Sequence, residues 1–406
     1  MDLRQVCWHK TTMNVSRILT IWVCIVLLSA CGGRAFIHET YDATDLRARA
    51  TTETEGQITV SAAVPSREET TAVFGIDLYD KGIQPVWIEI QNSSETIARY
   101  APVSTDRYYF PPQEIVYKNR KGYSDEARAA MQRHFDALAL KRFIHAGETR
   151  SGFVFTHVDW GAKGFNVDVF NAGSAHHFYF LERVPGFVPD YADITFNTIY
   201  SDAEVRNLDS KALHEALKTM PCCSNDSAGN VDDDALNLVL IGSGRELLIG
   251  LLRSGWLETA AADAAGKRAD YLFGRPQDAI LRYESKADDS IYEMRVWLAP
   301  LLQEGDRVWF AQVRHYYKTA GFLIADPDID NARGFVLQNL IYGQALRQLG
   351  WIEGDEVVPV DTFFRNPIRP AYFTDGHVLV MWLDAEPVSL RDIVVMRWDD
   401  IPESSK

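Results

Sequence analysis

Short segments in which apolar and polar residues alternate are the feature that most constrains how the first half of this chain can fold. Six such segments between residues 57 and 200 are rich in β-branched and aromatic residues and are bounded by Gly, Pro, Asn or Ser. They are ITVSAAV (58–64), PVWIEIQN (85–92), EIVYKN (114–119), RSGFVFTHV (150–158), GFNVDVF (164–170) and HHFYFLERV (176–184). Spaced strands of this kind favour a β-sandwich. We therefore predict a β-sandwich-like domain over residues 57–200, interrupted by helices that begin after Ser66 and Ser124.

The pattern changes in the second half, where apolar strand-like segments alternate with amphipathic helices. LNLVLIG (236–242) is a strand candidate, and a helix is expected after Ser243, which has Glu246 three residues later in the spacing of a capping box. A longer helix is expected from Asp328 to Leu349. Residues 235–400 are therefore predicted to form a compact mixed domain, which places the whole chain in the α+β class.

A turn-rich segment separates the two predicted domains. It contains one helix candidate, SKALHEALKTM (210–220), followed by PCCSNDSAGNVDDD (221–234), which is rich in Gly, Asn, Asp and Ser. Such composition is typical of loops and boundaries. Residues 201–234 are therefore interpreted as a linker with one helix.

The N-terminus has the pattern of a secretory signal. Arg17 precedes an apolar run from Ile18 to Leu28, which at eleven residues is too short to span a bilayer but suits the core of a signal peptide. The run ends in LSAC (28–31), which resembles the bacterial lipobox, in which a lipidated cysteine becomes the new N-terminus. This resemblance implies a lipoprotein signal peptide over residues 1–30 and a lipid such as palmitate on Cys31.

A lipidated Cys31 would hold the protein at a membrane, with the polar residues 31–56 as a tether to the folded body. Gly32 follows the cysteine, whereas Asp at that place favours retention in the inner membrane of bacteria that have two membranes. The resemblance therefore implies the outer membrane, with the protein facing the periplasm. The alternatives are a plain secretory signal or a short anchor helix, and translation starts at Met1 or at Met13.

The charge of the chain argues against partners that need a basic surface. The net charge is −15, and removal of residues 1–30, which hold three basic residues and one acidic residue, leaves −17. Nucleic acids and anionic lipid surfaces are bound by concentrated positive charge, so both are disfavoured. The expected partners are the membrane, through the lipid on Cys31, and an unknown envelope protein or lipid, with no nucleic acid.

Two of the five cysteines remain after the signal peptide has left and the lipid is attached. Cys7 and Cys24 belong to the signal peptide, Cys31 takes the lipid, and Cys222 and Cys223 stay adjacent in the linker. The compartment is oxidising, but two thiols cannot build a disulfide framework. Three alternatives stay open for the pair: a vicinal disulfide, two free thiols, or a metal or redox role that would need further ligands.

Five ordered segments in the second half resemble the LssY C-terminal domain family. They are LNLVLIG (236–242), YLFGRPQDAILRY (271–283), MRVWLAP (294–300), DPDID (326–330) and PAYFTDGHVLVMWLDAEPVSL (370–390). The family has no assigned biochemical role and is sometimes attached to membrane phosphatases, which implies the cell envelope and lipid phosphates. A Thr-His pair is expected shortly before the DPD loop in such sequences, but this chain has Phe322 and Leu323 there.

Three aspartates at alternate positions, Asp326, Asp328 and Asp330, have the spacing with which carboxylates often hold calcium. An EF-type loop would also need Gly at the sixth position and Glu at the twelfth, where this chain has Asn331 and Leu337. A helix start explains the same residues, because acidic side chains cap helices and favour the positive end of the dipole. A metal site of another type, with ligands from elsewhere, stays an alternative.

Two further loops supply polar candidates. In FGRPQD, Arg275 could grip a phosphate or a carboxylate of a ligand, or it could tie down its own loop through Asp278. Gln277 belongs to the same loop, and Asp375 in YFTDG lies in a predicted turn before a strand. The sequence contains no G-x-S-x-G, H-E-x-x-H or C-x-x-C motif, so we assign no catalytic residue, no metal ligand and no cofactor.

Two functional hypotheses follow. The first is a non-catalytic binding or scaffolding role at the membrane surface, and the alternative is a hydrolase acting on lipid or envelope phosphates. The hydrolase would use Arg275, Asp278 and the 326–330 carboxylates, so it needs FGRPQD, DPDID and YFTDG to meet in one cleft. The binding role predicts that these loops lie apart or meet only as packed turns.

Overall fold

The computed structural model describes residues 34–186, 196–259, 270–285, 288–354, 357–360 and 372–398. The predicted signal peptide (1–30) and the predicted lipidation site, Cys31, lie outside these ranges. Helices and strands in several sheets confirm the predicted mixed α+β class. Within the described ranges, no helix has both the length and the apolar character needed to cross a bilayer.

The secondary structure of the described residues contains α-helices, strands and short 3-10 helices. The α-helices are α1 (Thr44–Arg49), α2 (Arg67–Phe74), α3 (Pro102–Thr105), α4 (Pro112–Asn119), α5 (Asp125–Leu138), α6 (Ser210–Lys218), α7 (Gly244–Arg253) and α8 (Ile329–Tyr342). The 3-10 helices are Tyr79–Lys81, Phe196–Thr198 and Leu390–Asp392.

The strands of the first half are β1 (Thr51–Glu55), β2 (Ile58–Ala63), β3 (Ile83–Asn92), β4 (Ala98–Ala101), β5 (Phe143–Ile144), β6 (Thr149–His157), β7 (Ala162–Asn171) and β8 (Ser174–Arg183). Those of the middle are β9 (Arg206–Leu208), β10 (Cys223–Asn225), β11 (Val231–Ala235), β12 (Leu238–Ile241), β13 (Leu257–Glu258), β14 (Tyr271–Leu272), β15 (Arg275–Pro276) and β16 (Ala279–Ser285). The last are β17 (Ser290–Gln303), β18 (Asp306–Thr319), β19 (Phe322–Ala325), β20 (Leu346–Glu353), β21 (His377–Leu383) and β22 (Val394–Val395).

The first half contains two antiparallel four-stranded sheets, in the orders β1-β2-β3-β6 and β5-β4-β7-β8. Val60 and Ile88 of the first sheet lie in one hydrophobic cluster with Val167 and Phe178 of the second. Burial of this shared apolar surface holds the two sheets against each other. The β-sandwich as a class, and the division of the chain into two domains, stay predictions.

Strand β3 is buried on both faces, because successive side chains of a strand point in opposite directions. Ile88 lies in the cluster shared by the two sheets, whereas Trp87 lies in a second cluster with Phe74 of α2 and Phe135 of α5. The helices therefore cover the face of the first sheet that does not contact the second. This explains why PVWIEIQN has the apolar Trp87 at a position where alternation would place a polar residue.

The prediction of a strand over EIVYKN (114–119) is wrong, since these residues form the end of α4. Pro112 begins this helix, and its fixed φ suits the first turn. Ile115 and Val116 are buried in the same hydrophobic cluster as Trp87, and Tyr117 is exposed to solvent. Alternation over six residues cannot distinguish the period of a strand from that of a helix.

Part of the segment predicted as a tether belongs to the folded body. Arg34 forms a backbone bridge with Tyr123, and α1 and β1 follow within residues 31–56. Strand β1 has the polar sequence TTETE because it is the edge of its sheet and its side chains face water. Polarity alone therefore does not separate an edge strand from a tether.

The predicted helix starts are present in the structure. Ser66 and Ser243 each cap a helix in a full capping box, with Glu69 and Glu246 completing the reciprocal hydrogen bonds. Ser124 caps α5 by accepting a hydrogen bond from the backbone of the third helical residue. These starts depend only on neighbours in the chain, which is why local sequence predicts them.

The second half is built on a ten-stranded sheet. The main path runs β13-β16-β17-β18-β12-β21-β20-β22, with β19 paired to β18 and β9 paired to β17. Helices α7 and α8 cover one face, where Leu251 and Val336 pack with Val296. Helix α6 covers the other face, where Leu213 packs with Phe310. A small sheet, β11-β10-β14-β15, completes this half.

The segment predicted as a linker (201–234) also contributes strands. Its β9 joins the ten-stranded sheet, and its β10 and β11 belong to the small sheet. Cys222 and Cys223 form a vicinal disulfide at the start of β10. The vicinal disulfide, one of the three alternatives for this pair, is therefore the one that the structure contains. The free-thiol alternative is wrong.

The helix predicted from Asp328 to Leu349 is shorter in the structure. Helix α8 ends at Tyr342, and Leu346 already begins β20. Gln344 has a φ of 56°, in the left-handed region, which turns the chain out of the helix. A glutamine is not a usual signal for this conformation, but Gly343, which directly follows Tyr342, is a common signal of a helix end.

Candidate functional site

The three aspartates of DPDID have different bonding partners. Asp328 caps α8 by accepting a hydrogen bond from the backbone N–H of Asn331 at 3.0 Å, as the capping interpretation predicts. Asp326 accepts a hydrogen bond from the backbone N–H of Asp328 at 3.0 Å. Asp330 accepts bonds from the Thr374 hydroxyl and from a backbone N–H of the YFTDG loop, both at 2.7 Å. The carboxylates therefore do not converge as in an EF-type loop.

Among the described residues, no group of three or more His, Cys, Asp or Glu side chains has an arrangement that could hold a metal ion.

Arg333 joins the DPDID and YFTDG loops. This α8 side chain is buried, and its Nη2 lies 2.9 Å from Asp375 Oδ2 while its Nη1 lies 3.2 Å from Asp330 Oδ1. Arg333 also donates to the carbonyl of His377 and lies over the Trp351 ring. Two loops that are more than forty residues apart in sequence are thus fixed to one arginine.

The electrostatics of this junction show in the pKa of Asp375. Burial alone would raise this pKa, but hydrogen bonds from Arg333 and from the backbone of His377 outweigh burial and lower it. The positive charge of Arg333 acts in the same direction. Asp375 is therefore held in its charged form as part of the loop junction.

The FGRPQD loop has its own set of contacts. Arg275 pairs with Asp278, and Asp278 accepts a hydrogen bond from the backbone N–H of Leu298 in β17 at 2.7 Å. Gln277 accepts a hydrogen bond from the backbone N–H of Asp270 at 3.0 Å. The Arg275 guanidinium also lies over the Tyr200 ring. These contacts attach FGRPQD to β17, whereas DPDID and YFTDG are attached to each other.

A cavity of about 240 Å³ lies beside the joined loops. Its apolar wall includes Val239 and Val378, and the disulfide residue Cys222 borders it. Lys218 and His377 provide cationic or hydrogen-bonding groups at its edge. The lining combines polar and apolar groups in similar proportion, so the cavity suits a small ligand that carries polar groups of its own.

The vicinal disulfide and the joined loops border the same cavity. Thr374 and Gly376 of YFTDG and Ile329 of α8 line it together with Cys222. The candidate aspartates themselves do not line it; they hold in place the loop residues that do. The candidate residues of DPDID and YFTDG thus position a site and do not form its surface.

His315 is a candidate that the sequence reasoning did not select. Its ring is buried, its Nδ1 lies 3.1 Å from Asp326 Oδ2, and it stacks on Tyr292. Tyr317 donates to the same carboxylate oxygen at 3.0 Å. Within the described part of the chain, His315 Nε2 has no hydrogen-bond partner. The tight β18–β19 hairpin brings residues 315 and 326 together, and strand β19 was not predicted from the sequence.

No protein-family model and no curated protein matches this chain. The resemblance of the second half to the LssY C-terminal domain family therefore stays a prediction.

Proposed function

We propose that this chain is a cell-envelope lipoprotein, anchored through a lipid on Cys31, which binds a small ligand without transforming it. In this proposal the signal peptide (1–30) is removed and the protein faces the periplasm from the outer membrane. A β-sandwich-like unit (57–200) precedes a unit like the LssY C-terminal domain (235–400). The ligand occupies the cavity bordered by the Cys222–Cys223 disulfide.

The bonding of the joined loops supports the binding role. Asp328 caps a helix, and Asp330 and Asp375 are bonded to Arg333 and to backbone N–H groups. Such contacts fix the loops that border the cavity and so prepare its shape before a ligand arrives. Two of the three candidate loops meet as packed turns, which is the arrangement that the binding hypothesis predicts.

Native mass spectrometry of the lipoprotein extracted from its own cells tests this function. We expect the wild-type chain to retain an organic ligand and Val378→Phe, which places a large apolar side chain in the cavity, to lose it. Val394→Phe is the matched control, because the same substitution then lies on the exposed strand β22. A wild-type protein without retained ligand, or equal ligand retention in both variants, would contradict binding in this cavity.

One observation favours a hydrolase as the second candidate. His315 is buried and its Nδ1 is held by the carboxylate of Asp326, while its Nε2 has no hydrogen-bond partner among the described residues. A general base has this arrangement. A hydrolase of lipid phosphates would release phosphate from phosphatidic acid vesicles, and His315→Gln would abolish the release. Phosphate release that is unchanged in this variant, or absent from the wild type, would remove this support.

A further inference from the structure

One surface of this acidic protein is basic and aromatic. We call it the 117–123 surface; it consists of Arg34, Tyr117, Lys118, Arg120, Lys121 and Tyr123. All four cations are exposed, and Tyr117 is 63% exposed. Ile37, 77% exposed, lies close to Arg34 in the chain. The net charge of the chain without residues 1–30 is −17, so four cations on one surface are a local concentration of positive charge that contrasts with the rest of the protein.

The fold places Arg34 on this surface. The backbone N–H of Arg34 donates to the carbonyl of Gly122 at 2.7 Å, and the N–H of Ser124 donates back to the Arg34 carbonyl at 3.4 Å. The Arg34 guanidinium lies over the Tyr123 ring, and the Arg120 guanidinium lies over the Tyr117 ring. Arg34, at the start of the folded body, and residues 117–123 therefore form one surface.

This geometry matters because the proposed anchor is very close. Cys31 is three residues before Arg34, and three extended residues span at most about 11 Å. The screening length at physiological salt is about 8 Å, so cations beside Arg34 lie within reach of charges at the bilayer surface. A long flexible tether would have removed this constraint, but the chain is already folded at Arg34.

We propose that the 117–123 surface rests on the bilayer that holds the anchor and binds the head groups of anionic phospholipids. This inference rests on the lipidation of Cys31 in the proposed function. Lys and Arg near a membrane are attracted by anionic lipids, and Tyr is enriched at the membrane–water interface.

The neighbouring acids reduce the positive charge but leave an excess. Glu114 pairs with Lys118 at 2.9 Å, and Asp125 pairs with Arg128 in the first turn of α5. Glu126, also in that turn, adds one further negative charge. The acidic remainder of the protein is repelled by the same lipids. This repulsion orients the molecule with the 117–123 surface towards the bilayer.

Lysine labelling of the intact lipoprotein tests the inference. The protein with its own lipid is inserted into vesicles of phosphatidylcholine, or of phosphatidylcholine mixed with phosphatidylglycerol, and treated with a membrane-impermeant amine reagent. We expect Lys118 and Lys121 to react severalfold more slowly in the anionic vesicles, with the protection lost at high salt. Lys81 is the matched control for Lys118, because its side chain is similarly exposed and is also paired with a carboxylate.

The outcomes separate this inference from the proposed function. The mass of the N-terminal peptide in the same digest shows whether Cys31 carries a lipid. A lipidated chain whose Lys118 and Lys121 react like Lys81 in both vesicles would overturn the inference alone and would point the surface to another partner. A chain without lipid on Cys31 would overturn the proposed function and the inference together.

Discussion

Two of the arginine–carboxylate pairs in the second half, Arg275–Asp278 and Arg333–Asp375, differ in which partner is buried. In FGRPQD the carboxylate is the buried partner, since the Asp278 side chain is 1% exposed and that of Arg275 is 24% exposed. At the junction of DPDID and YFTDG the arginine is buried, with Arg333 5% exposed and Asp375 50% exposed. The same two residue types thus occupy opposite environments.

This difference determines which deletion leaves an unpaired charge inside the protein. Removing Arg275 leaves the carboxylate of Asp278 without its counter-charge and away from water. Removing Arg333 leaves Asp375, which solvent can hydrate. Because an uncompensated buried charge costs more than a pair of lost hydrogen bonds, the two arginines are not equivalent.

The largest effect is expected for Arg275→Met. Loss of the counter-charge of buried Asp278 should lower the free energy of unfolding by about 3 kcal/mol. Urea unfolding followed by circular dichroism measures this change, and Arg391→Met, at an exposed arginine, serves as the control. A decrease in the free energy of unfolding no larger than that of the control would show that the buried Asp278 does not need the charge of Arg275.

A smaller effect is expected for Arg333→Met. The variant loses charge-assisted hydrogen bonds to Asp375 and to the His377 carbonyl, which should cost about 2 kcal/mol in the same urea experiment. The remaining carboxylates become hydrated, so the loss should stay below that of Arg275→Met. The reverse order of the two variants would contradict the assignment of the buried partners.

Loss of the helix cap at Asp328 ranks third. Asp328→Ala removes the acceptor for the backbone N–H of Asn331 and should lower the free energy of unfolding by about 1 kcal/mol. Asp392→Ala is the control, because this exposed aspartate lies in a 3-10 helix near the end of the chain. Equal stability of the two variants would mean that the cap contributes nothing.

The smallest effect is a pH dependence at the DPDID–YFTDG junction. The pKa of Asp375 is lower in the folded protein, so its contribution to stability is present above its ordinary value of 3.8 and is lost as the pH falls through the folded pKa. Asp375→Asn should therefore be less stable than the wild type at neutral pH and approach it in acid. A stability difference that is constant with pH would contradict the lowered pKa.

The parts of the fold that sequence predicts are those decided by near neighbours. The capping boxes at Ser66 and Ser243 each lie within three residues, and local spacing predicted both. The pairing of Arg275 with Asp278 has the same short separation, and it was one of the two alternatives for this arginine. The strand candidates ITVSAAV, PVWIEIQN and GFNVDVF were also predicted, and they lie in β2, β3 and β7.

The remaining features depend on contacts that the local sequence does not contain. Arg333 meets Asp375 forty-two residues later, and His315 meets Asp326 only because the β18–β19 hairpin folds back. The strand prediction at EIVYKN failed because six residues do not fix a period. The net charge of the chain likewise concealed the local excess of cations on the 117–123 surface.

Asp326, Asp328 and Asp330 bond to loop residues and do not bind a metal ion. The dependence of thermal unfolding on added cations tests this claim most directly. The midpoint of unfolding is measured in calcium, magnesium or manganese chloride and in a chelator at equal ionic strength. We expect the same midpoint in all of them. A midpoint that rises with the concentration of one cation, and no longer rises in Asp326→Asn, would contradict it, because a ligand of the native state stabilises in proportion to its occupancy.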